Sequence, residues 1–289
     1  MKKLLIDLGI STEKSIAPYF PKVRDRDDVP VLKCEKSGVI LLSRSDHMNM
    51  GHYEEKQDFS YWGRGDRKSA LLFVLEDTER RLRDFKYVIA NKKWLDIGTG
   101  AGGVLDLLSP IALKTAAVEP QEAARKNLID LGYKVYPSME DVEDSDYDVA
   151  SLFNVVEHLT DPMSILKSAK NKMVKGGKII VEVPHAGDIL LSLFENEAFK
   201  SYTFWSEHMI LHTRESLTAL LKAAGFEKIV ISGLQRHPLA NHLYWLSRGK
   251  PYGHAVWHQL RMPELDRAYA QMLAGIDKTD TLLATAENI

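Results

Sequence analysis

The sequence predicts an α/β fold, a mostly parallel β-sheet with helices on both faces, for three reasons. Between Trp94 and Ser232, short runs of β-branched residues alternate with helical patterns, as expected for strands joined by crossover helices. A glycine-rich turn follows the first predicted strand, at residues 98–103. The chain has 289 residues, 45% of them hydrophobic, which is enough to bury a substantial core.

Five strands are predicted within this segment from their apolar and β-branched residues. They are residues 94–97, 115–118, 148–153, 178–183 and 228–231. A last strand is predicted at residues 280–286, after an aromatic and histidine-rich insert. The final strand of the sheet is therefore expected to be distant in sequence from the others.

Two predicted helices have recognisable ends. Asp161 is a suitable N-cap with Pro162 at the first turn, and Thr213 is a suitable N-cap for a helix that ends before Gly225. The apolar stripe of the first helix includes Met173. Residues 66–90 have the pattern of one continuous amphipathic helix ahead of the first strand.

These patterns divide the chain into four parts. They are an N-terminal extension with a hairpin (1–60), the core (61–232), the insert (233–278) and the last strand of the core sheet (279–289). The hairpin is predicted from apolar runs around residues 31–34 and 38–42. The extension and the insert are expected to flank a single sheet-forming core.

Composition excludes several classes of partner. With 38 basic and 40 acidic residues the formal net charge is −2, and no long run of like charges occurs, so a nucleic acid partner is not expected. We find no apolar segment of about 18 residues and no signal-peptide pattern, so we expect no membrane span and no export. Cys34 is the single cysteine, which excludes an internal disulfide and fits a cytoplasmic location.

The glycine turn is the strongest indication of function. Gly98, Gly100 and Gly103 match a pattern that lets a ligand approach the backbone at a helix N-terminus. The pattern alone also permits a nicotinamide or flavin cofactor. Asp96, just before the turn, would repel a pyrophosphate but attract an ammonium group. Glu119, about 20 residues beyond the glycines, is expected to accept hydrogen bonds from ribose hydroxyls, a role that suits either cofactor.

Beyond the turn, four motifs resemble those of the class I S-adenosylmethionine-dependent methyltransferases. They occupy, in order, residues 119–120, 147–149, 154–162 and 176–184. The resemblance covers roughly residues 66–232 and implies a Rossmann-like seven-stranded sheet, S-adenosylmethionine as cofactor and methyl transfer as the activity. The Glu-His-Leu motif is similar to that of the subgroup with ubiquinone-type O-methyltransferases and many sugar methyltransferases.

The resemblance also implies which residues hold the cofactor. The glycine turn would hold the methionine part, the acid after the second strand the ribose, and the stretch after the third strand the adenine. In that stretch Ser138 stands where relatives usually carry an acid, and Arg67 matches an arginine that reaches the cofactor carboxylate in related enzymes. The predicted contacts are Arg67, Asp96, Gly98, Thr99, Gly100, Gly102, Glu119, Pro120, Ser138, Met139, Glu140 and Asn154.

Methyl transfer to a hydroxyl requires alignment of the acceptor and a general base. His158 is the leading candidate for the base, because it follows a strand at the edge of the sheet where such folds bind ligands. Glu157 would orient the imidazole or contact the acceptor, and His208 is a further acceptor-site candidate. The alternative is that Glu157 and His158 only complete the entry to the next helix. Quinone-type enzymes have a Glu-x-x-Glu-His metal pattern, but Asn154 replaces its first glutamate, so no metal is expected.

The acceptor is expected to be a small molecule. The aromatic, histidine and arginine residues of the insert suit a sugar or nucleotide-sugar surface, and they suit a homodimer interface as well. Tyr61 and Trp62 either close over the cofactor or pack in the core. Two other functions remain open at this point: an NAD-dependent oxidoreductase with the same turn, and a non-catalytic protein that binds S-adenosylmethionine.

Overall fold

A computed structural model describes residues 1–48 and 65–289 of the chain. Its strands are β1 (Ile16–Phe20), β2 (Val31–Cys34), β3 (Ile40–Leu42), β4 (Lys93–Ile97), β5 (Lys114–Val118), β6 (Val135–Tyr136), β7 (Tyr147–Phe153), β8 (Met173–Pro184), β9 (Ile210–Leu211), β10 (Phe226–Leu234) and β11 (Thr281–Asn288). Tyr61 and Trp62, predicted as a lid or as packing residues, lie outside the described residues.

The described α-helices cover both faces of the larger sheet. They are α1 (Lys2–Asp7), α2 (Arg67–Phe73), α3 (Leu75–Ile89), α4 (Gly103–Leu108), α5 (Glu122–Asp130), α6 (Pro162–Asn171), α7 (Ile189–Ser192), α8 (Glu197–Thr203), α9 (Arg214–Ala223), α10 (Leu239–Arg248), α11 (Gly253–Val256) and α12 (Pro263–Gly275). Within the described ranges, no helix is long and apolar enough to cross a membrane.

The larger sheet has seven strands in the order β10-β11-β8-β7-β4-β5-β6. The pairs from β8 to β6 are parallel, whereas β11 runs antiparallel between β8 and β10. The predicted Rossmann-like, mostly parallel seven-stranded sheet is confirmed, including its last strand. The sequence prediction missed β6, because two residues are too short to show a period.

Three local predictions hold and two need correction. The side chains of Asp161 and Thr213 cap α6 and α9, and Gly225 has a left-handed φ of +91° after α9. Met173, predicted on the helical stripe, instead begins β8, where it pairs with Tyr147. The single helix predicted at residues 66–90 is two helices, α2 and α3, because the backbone leaves the helical region at Val74 (φ −104°, ψ 12°).

The core around the larger sheet consists of two apolar layers, one on each face. Alternate residues of one strand enter opposite layers: Leu95 packs with α6 and α9, whereas Trp94 packs with α3, α4 and α5. This alternation follows from the two-residue period of a strand. Because the two layers bury both faces of the sheet, its strands are nearly continuous runs of apolar residues.

The predicted hairpin is present as β2 and β3, and it belongs to a second sheet. This sheet has the order β1-β2-β3-β9, with antiparallel pairing throughout. Its last strand, β9, comes from the segment between β8 and α9. The N-terminal extension is therefore hydrogen-bonded to a part of the chain that lies next to the carboxyl end of β8, where His212 forms a bridge with His185.

Candidate active site

A cleft of about 560 Å³ lies at the carboxyl ends of β4, β5 and β7. Its walls come from α3, the glycine turn, and the segments after β5, β6 and β7. Parallel sheets with crossover helices bind ligands at this edge, because the loops after neighbouring strands converge there. The cleft is therefore the candidate cofactor site.

The glycine turn brings its backbone to the cleft without side chains. Gly98 and Gly100 have φ values of +72° and +61°, a region that side chains rarely adopt. A Cβ atom on Gly98 would lie 2.5 Å from Cγ2 of Val155, so the turn packs directly against the segment after β7. The conformation and the packing both require glycine at this position.

Glu119 directly follows β5 and is a buried carboxyl group on the cleft wall. Oε2 accepts a hydrogen bond from the Gly100 N–H at 2.7 Å, and Oε1 accepts one from the Gln121 N–H at 2.9 Å. Burial raises the pKa of Glu119 to about 7, although these backbone donors and the charge of Arg125 oppose the increase. Each oxygen keeps further lone pairs, which can accept hydrogen bonds from a ligand's hydroxyl groups.

Nine of the twelve predicted cofactor contacts lie on the cleft wall. They are Gly98, Thr99, Gly100, Glu119, Pro120, Ser138, Met139, Glu140 and Asn154. In the adenine stretch, the Ser138 hydroxyl donates to Asp141 at 2.6 Å. The structure thus brings together the turn, the ribose acid and the predicted adenine stretch around one space.

The other three predicted contacts do not reach this wall. The Arg67 guanidinium donates to both oxygens of Asp106, at 2.8 and 2.7 Å, and Arg67 does not line the cleft. Asp96 is buried beneath the turn, where it accepts a hydrogen bond from Ser151 at 2.6 Å. Gly102 serves packing, since a Cβ there would lie 2.4 Å from Leu128. Burial raises the pKa of Asp96 to about 6.

Two arginine side chains that were not among the predicted site residues lie on the opposite wall. Arg81 of α3 lines the cleft and donates to Asn154 Oδ1 at 2.8 Å and to Glu182 at 2.6 Å. Arg236, from the insert, lines it as well and pairs with Asp77 of α3. The amphipathic pattern of α3 alone predicts that a charged residue such as Arg81 is exposed to solvent. Glu182, within an apolar strand, was the one signal of a buried cationic partner.

His158 lines the cleft, with Glu157 and His208 behind it. Glu157 is fully buried: its Oε1 accepts from Asn154 at 3.2 Å, and its Oε2 has no hydrogen-bond partner among the residues described. Burial raises the pKa of Glu157 to about 8. The rings of His158 and His208 have centroids 4.8 Å apart. The three predicted catalytic residues therefore form one cluster, of which His158 faces the cleft.

This cluster is also the one group with metal-ligand chemistry in the described part of the chain. One ligand atom from each of Glu157, His158 and His208 lies within 4.8 Å of the others. The ligand atoms of a tetrahedral zinc ion are about 3.3 Å apart, so the cluster would have to contract to hold one cation. Two imidazoles and one carboxylate are also a poor set for Mg²⁺, which prefers oxygen ligands.

Comparison with known proteins assigns the family. The model of a family described as "Methyltransferase domain" matches residues 72–231, more than half of the chain. The chain belongs to this methyltransferase family. The match contains the glycine turn, Glu119 and the Glu157-His158 motif, and it confirms the predicted class I S-adenosylmethionine-dependent methyltransferase.

Curated relatives match part of this methyltransferase. A ubiquinone biosynthesis O-methyltransferase of Vibrio atlanticus is 33% identical over 147 residues, which are 46% of this chain and 53% of the relative. The protein of the same name from Idiomarina loihiensis is 25% identical over 164 residues, 51% of this chain and 67% of the relative. The chain thus spans about half the length of the first relative.

Solved structures show the same fold. An S-adenosylmethionine-dependent methyltransferase of Thermotoga maritima, described as a possible histamine N-methyltransferase, aligns with a TM-score of 0.55 and 19% identity, over 83% of this chain and all of that one. An S-adenosylmethionine-dependent methyltransferase of Archaeoglobus fulgidus gives a TM-score of 0.51 and 19% identity, over 79% of this chain and 97% of the other. At this identity the likeness concerns the fold.

Proposed function

We propose that this methyltransferase transfers the methyl group of S-adenosylmethionine to a hydroxyl oxygen of a small-molecule acceptor. The observation that carries the proposal is the Glu119 carboxyl at the end of β5, held by two backbone N–H groups with its oxygens on the cleft wall. Such a group can accept hydrogen bonds from both hydroxyls of a ribose. The family match favours S-adenosylmethionine over NAD.

The described residues fit this cofactor. Glu119 would bind its ribose, and the turn at Gly98 and Gly100 leaves room for its methionine part because no Cβ atoms are present. Arg81, beside Asn154 on the cleft wall, would provide the cation for the cofactor carboxylate. We assign that role to Arg81 because Arg81 lines the cleft and Arg67 does not.

The bound cofactor supplies an electrophilic methyl group, and the protein supplies the base and the alignment. His158 faces the cleft and would take the proton of the acceptor hydroxyl as the oxygen attacks. Glu157 would remain a neutral, buried carboxyl next to it, since burial raises its pKa to about 8. Its Oε1 lies 3.9 Å from Nε2 of His158, so the Glu157 carboxyl packs directly beside the imidazole.

The acceptor that we propose is a sugar or nucleotide-sugar. Arg236 supports this choice, because it carries a guanidinium from the insert to the cleft, where an anionic or hydroxyl-rich acceptor would meet it. The names of the curated relatives support oxygen as the methylated atom. A phenolic acceptor of the kind their names suggest is the second candidate.

Calorimetry and a methylation screen test the proposal. S-adenosylmethionine and S-adenosylhomocysteine should bind, and NAD should not. Incubation with S-adenosylmethionine and separate panels of nucleotide-sugars and catechols should add one methylene mass to members of one panel, detected by mass spectrometry. Binding of NAD alone would refute the cofactor assignment. Binding of S-adenosylmethionine without any methylated product would favour a non-catalytic binding protein.

A further inference from the structure

The segment between α8 and β9 packs against the candidate base. We call residues 204–209 the Trp205 loop. The ring centroids of Trp205 and His208 lie 6.0 and 4.8 Å from that of His158, and they lie 5.4 Å from each other. All three contacts are edge-on, so the loop forms an aromatic wall beside the His158 imidazole.

The end of the Trp205 loop is hydrogen-bonded both to Glu157, the residue before the candidate base, and to the N-terminal sheet. The Met209 N–H donates to the Glu157 carbonyl oxygen at 2.7 Å, and the Leu42 N–H donates to the Met209 carbonyl oxygen at 3.1 Å. Leu42 ends β3, so one backbone connection runs from the second sheet through Met209 to Glu157. A displacement of the loop would therefore also displace Glu157, the residue next to His158.

The middle of the Trp205 loop is held by side chains of the N-terminal extension. Asp25 accepts two hydrogen bonds from Ser206, one from its N–H at 3.0 Å and one from its hydroxyl at 2.6 Å. His47 contacts the Ser206 carbonyl oxygen at 2.8 Å. The Arg24 guanidinium lies 4.7 Å from the ring centroid of Trp205.

The two bonds to Asp25 define both the position and the orientation of Ser206. Ser206 is buried and lies between the two aromatic residues that contact His158, Trp205 directly before it and His208 two residues later. Hydrogen bonds to an ionised carboxylate are stronger than neutral ones. Asp25 thus attaches this loop to the extension through two hydrogen bonds to one side chain.

We infer that Asp25 is a positioning residue for catalysis, holding the Trp205 loop so that Trp205 and His208 confine the His158 imidazole. The N-terminal sheet is therefore part of the acceptor side of the active site. This inference rests on the proposed role of His158 as the base. It adds a functional contribution from residues outside the stretch that the family model matches.

The test reads the environment of the imidazoles by NMR titration, which needs no acceptor. Burial, followed by the charges of His158, Arg24 and Arg236, holds the pKa of His208 well below its usual range. In Asp25→Ala the loop should loosen, water should reach His208, and its pKa should rise by about one pH unit or more. The resonances of His158 should shift at the same time.

Two further variants make the test specific. Asp25→Asn keeps an acceptor oxygen for the Ser206 N–H and should give an intermediate shift. Asp28→Ala is the matched control, because Asp28 lies on the same connection and pairs with Arg26 and Arg44 instead of the loop. It should titrate like the wild type. If Asp25→Ala fails to fold, Ser206→Ala, which removes the 2.6 Å bond alone, takes its place.

An unchanged titration of His208 and His158 in a folded Asp25→Ala or Ser206→Ala protein would overturn the inference. S-adenosylhomocysteine affinity, measured by calorimetry on the same samples, should stay within about twofold of the wild type, since no described contact of Asp25 reaches the cleft. Failure of the methylation screen would count against the proposed function. It would not change the titration result, because the titration needs no acceptor.

Discussion

Glu119 combines burial, two backbone donors and exposure of its oxygens to the cleft. Glu119→Gln should weaken S-adenosylmethionine binding by about 1.5 to 3 kcal/mol, because an ionised acceptor is replaced by a neutral amide. Calorimetry measures the loss. Equal affinity of the variant and the wild type would remove Glu119 from the cofactor site.

The same residue predicts a pH dependence. The pKa of Glu119 is raised to about 7, and hydroxyl donors favour its ionised form. S-adenosylmethionine should therefore bind with release of a proton, and affinity should increase from pH 6 to about pH 8 before levelling. Glu119→Gln is the control, since its affinity should change less over this range. A wild-type affinity that falls as pH rises would contradict the assignment.

His158 is tested at the level of turnover. His158→Ala should retain cofactor affinity and lose roughly 10² to 10⁴ in turnover, with a residual rate that rises with pH as the acceptor hydroxyl ionises unaided. Chelators should leave the wild-type rate unchanged. Sensitivity to a chelator, with recovery on adding a divalent cation, would transfer the role from a base to a metal held by the Glu157, His158 and His208 cluster.

Residue positions were predictable where a local motif carries them. The glycine turn and Glu119 were placed correctly on the cleft wall from sequence because their spacing follows the strand, turn and strand of the fold. Arg81 and Arg236 were not predicted as cleft residues, because their partners, Glu182 and Asp77, are 101 and 159 positions away. When a segment far along the chain buries a charged residue, the sequence around that residue gives little sign of it.

At the scale of elements, capping and turn chemistry were predictable and interruptions were not. The N-caps of α6 and α9 depend on a few adjacent residues, so the sequence identifies them. The break at Val74 separates α2, anchored through Arg67 to Asp106, from α3, anchored through Arg81 to Glu182. Two distant anchors divide a helix that the amphipathic pattern alone would continue.

The glycine turn gives a prediction at this scale. Gly98→Ala should destabilise the protein through its left-handed backbone, at about 1 to 2 kcal/mol, and further through contact with Val155, 2.5 Å from the new Cβ. Gly132→Ala is the matched control, because Gly132 has φ +91° and nothing within 4 Å of its Cβ position. Denaturant titration should show the larger loss for Gly98→Ala.

A second substitution separates the two causes. Val155→Ala in the Gly98→Ala background should recover the part of the loss that exceeds the Gly132→Ala control, because it removes the two methyl groups nearest the new Cβ. Equal losses for Gly98→Ala and Gly132→Ala would show that the turn does not pack closely against the segment after β7.

For the whole molecule, the cleft depends on how α3 is joined to the sheet. Glu182 of β8 accepts hydrogen bonds from Arg80 with both oxygens at 2.9 Å and from Arg81 at 2.6 Å. Arg80 also contacts Asp77 at 3.3 Å, and Asp77 pairs with Arg236 of the insert. One buried ionic network therefore links the core sheet, the helix before it and the insert around the cleft.

Removing the negative charge of Glu182 should weaken the connection between the core sheet, α3 and the insert, and so destabilise the whole fold. Glu182→Gln leaves two buried guanidinium groups without their carboxylate, and loss of one member of a buried ion pair costs about 3 to 5 kcal/mol. The unfolding free energy from denaturant titration should fall by that amount at pH 7. Glu287→Gln, on the neighbouring β11, where the side chain is partly exposed and pairs with Lys228, should leave the unfolding midpoint nearly unchanged.

The same network predicts how the stability difference between the wild type and Glu182→Gln depends on pH. Burial would raise the pKa of Glu182, but the charges of Arg81 and Arg80 outweigh it and lower the pKa below 4.5. A group with a lowered native pKa stabilises the fold fully above its unfolded value and loses that contribution as pH falls through the native pKa. The stability difference between wild type and Glu182→Gln should therefore be constant near neutrality and narrow below about pH 4. A difference that instead widens in acid would mean that Glu182 is protonated in the native protein, so that α3 is held to the sheet by packing and not by charge.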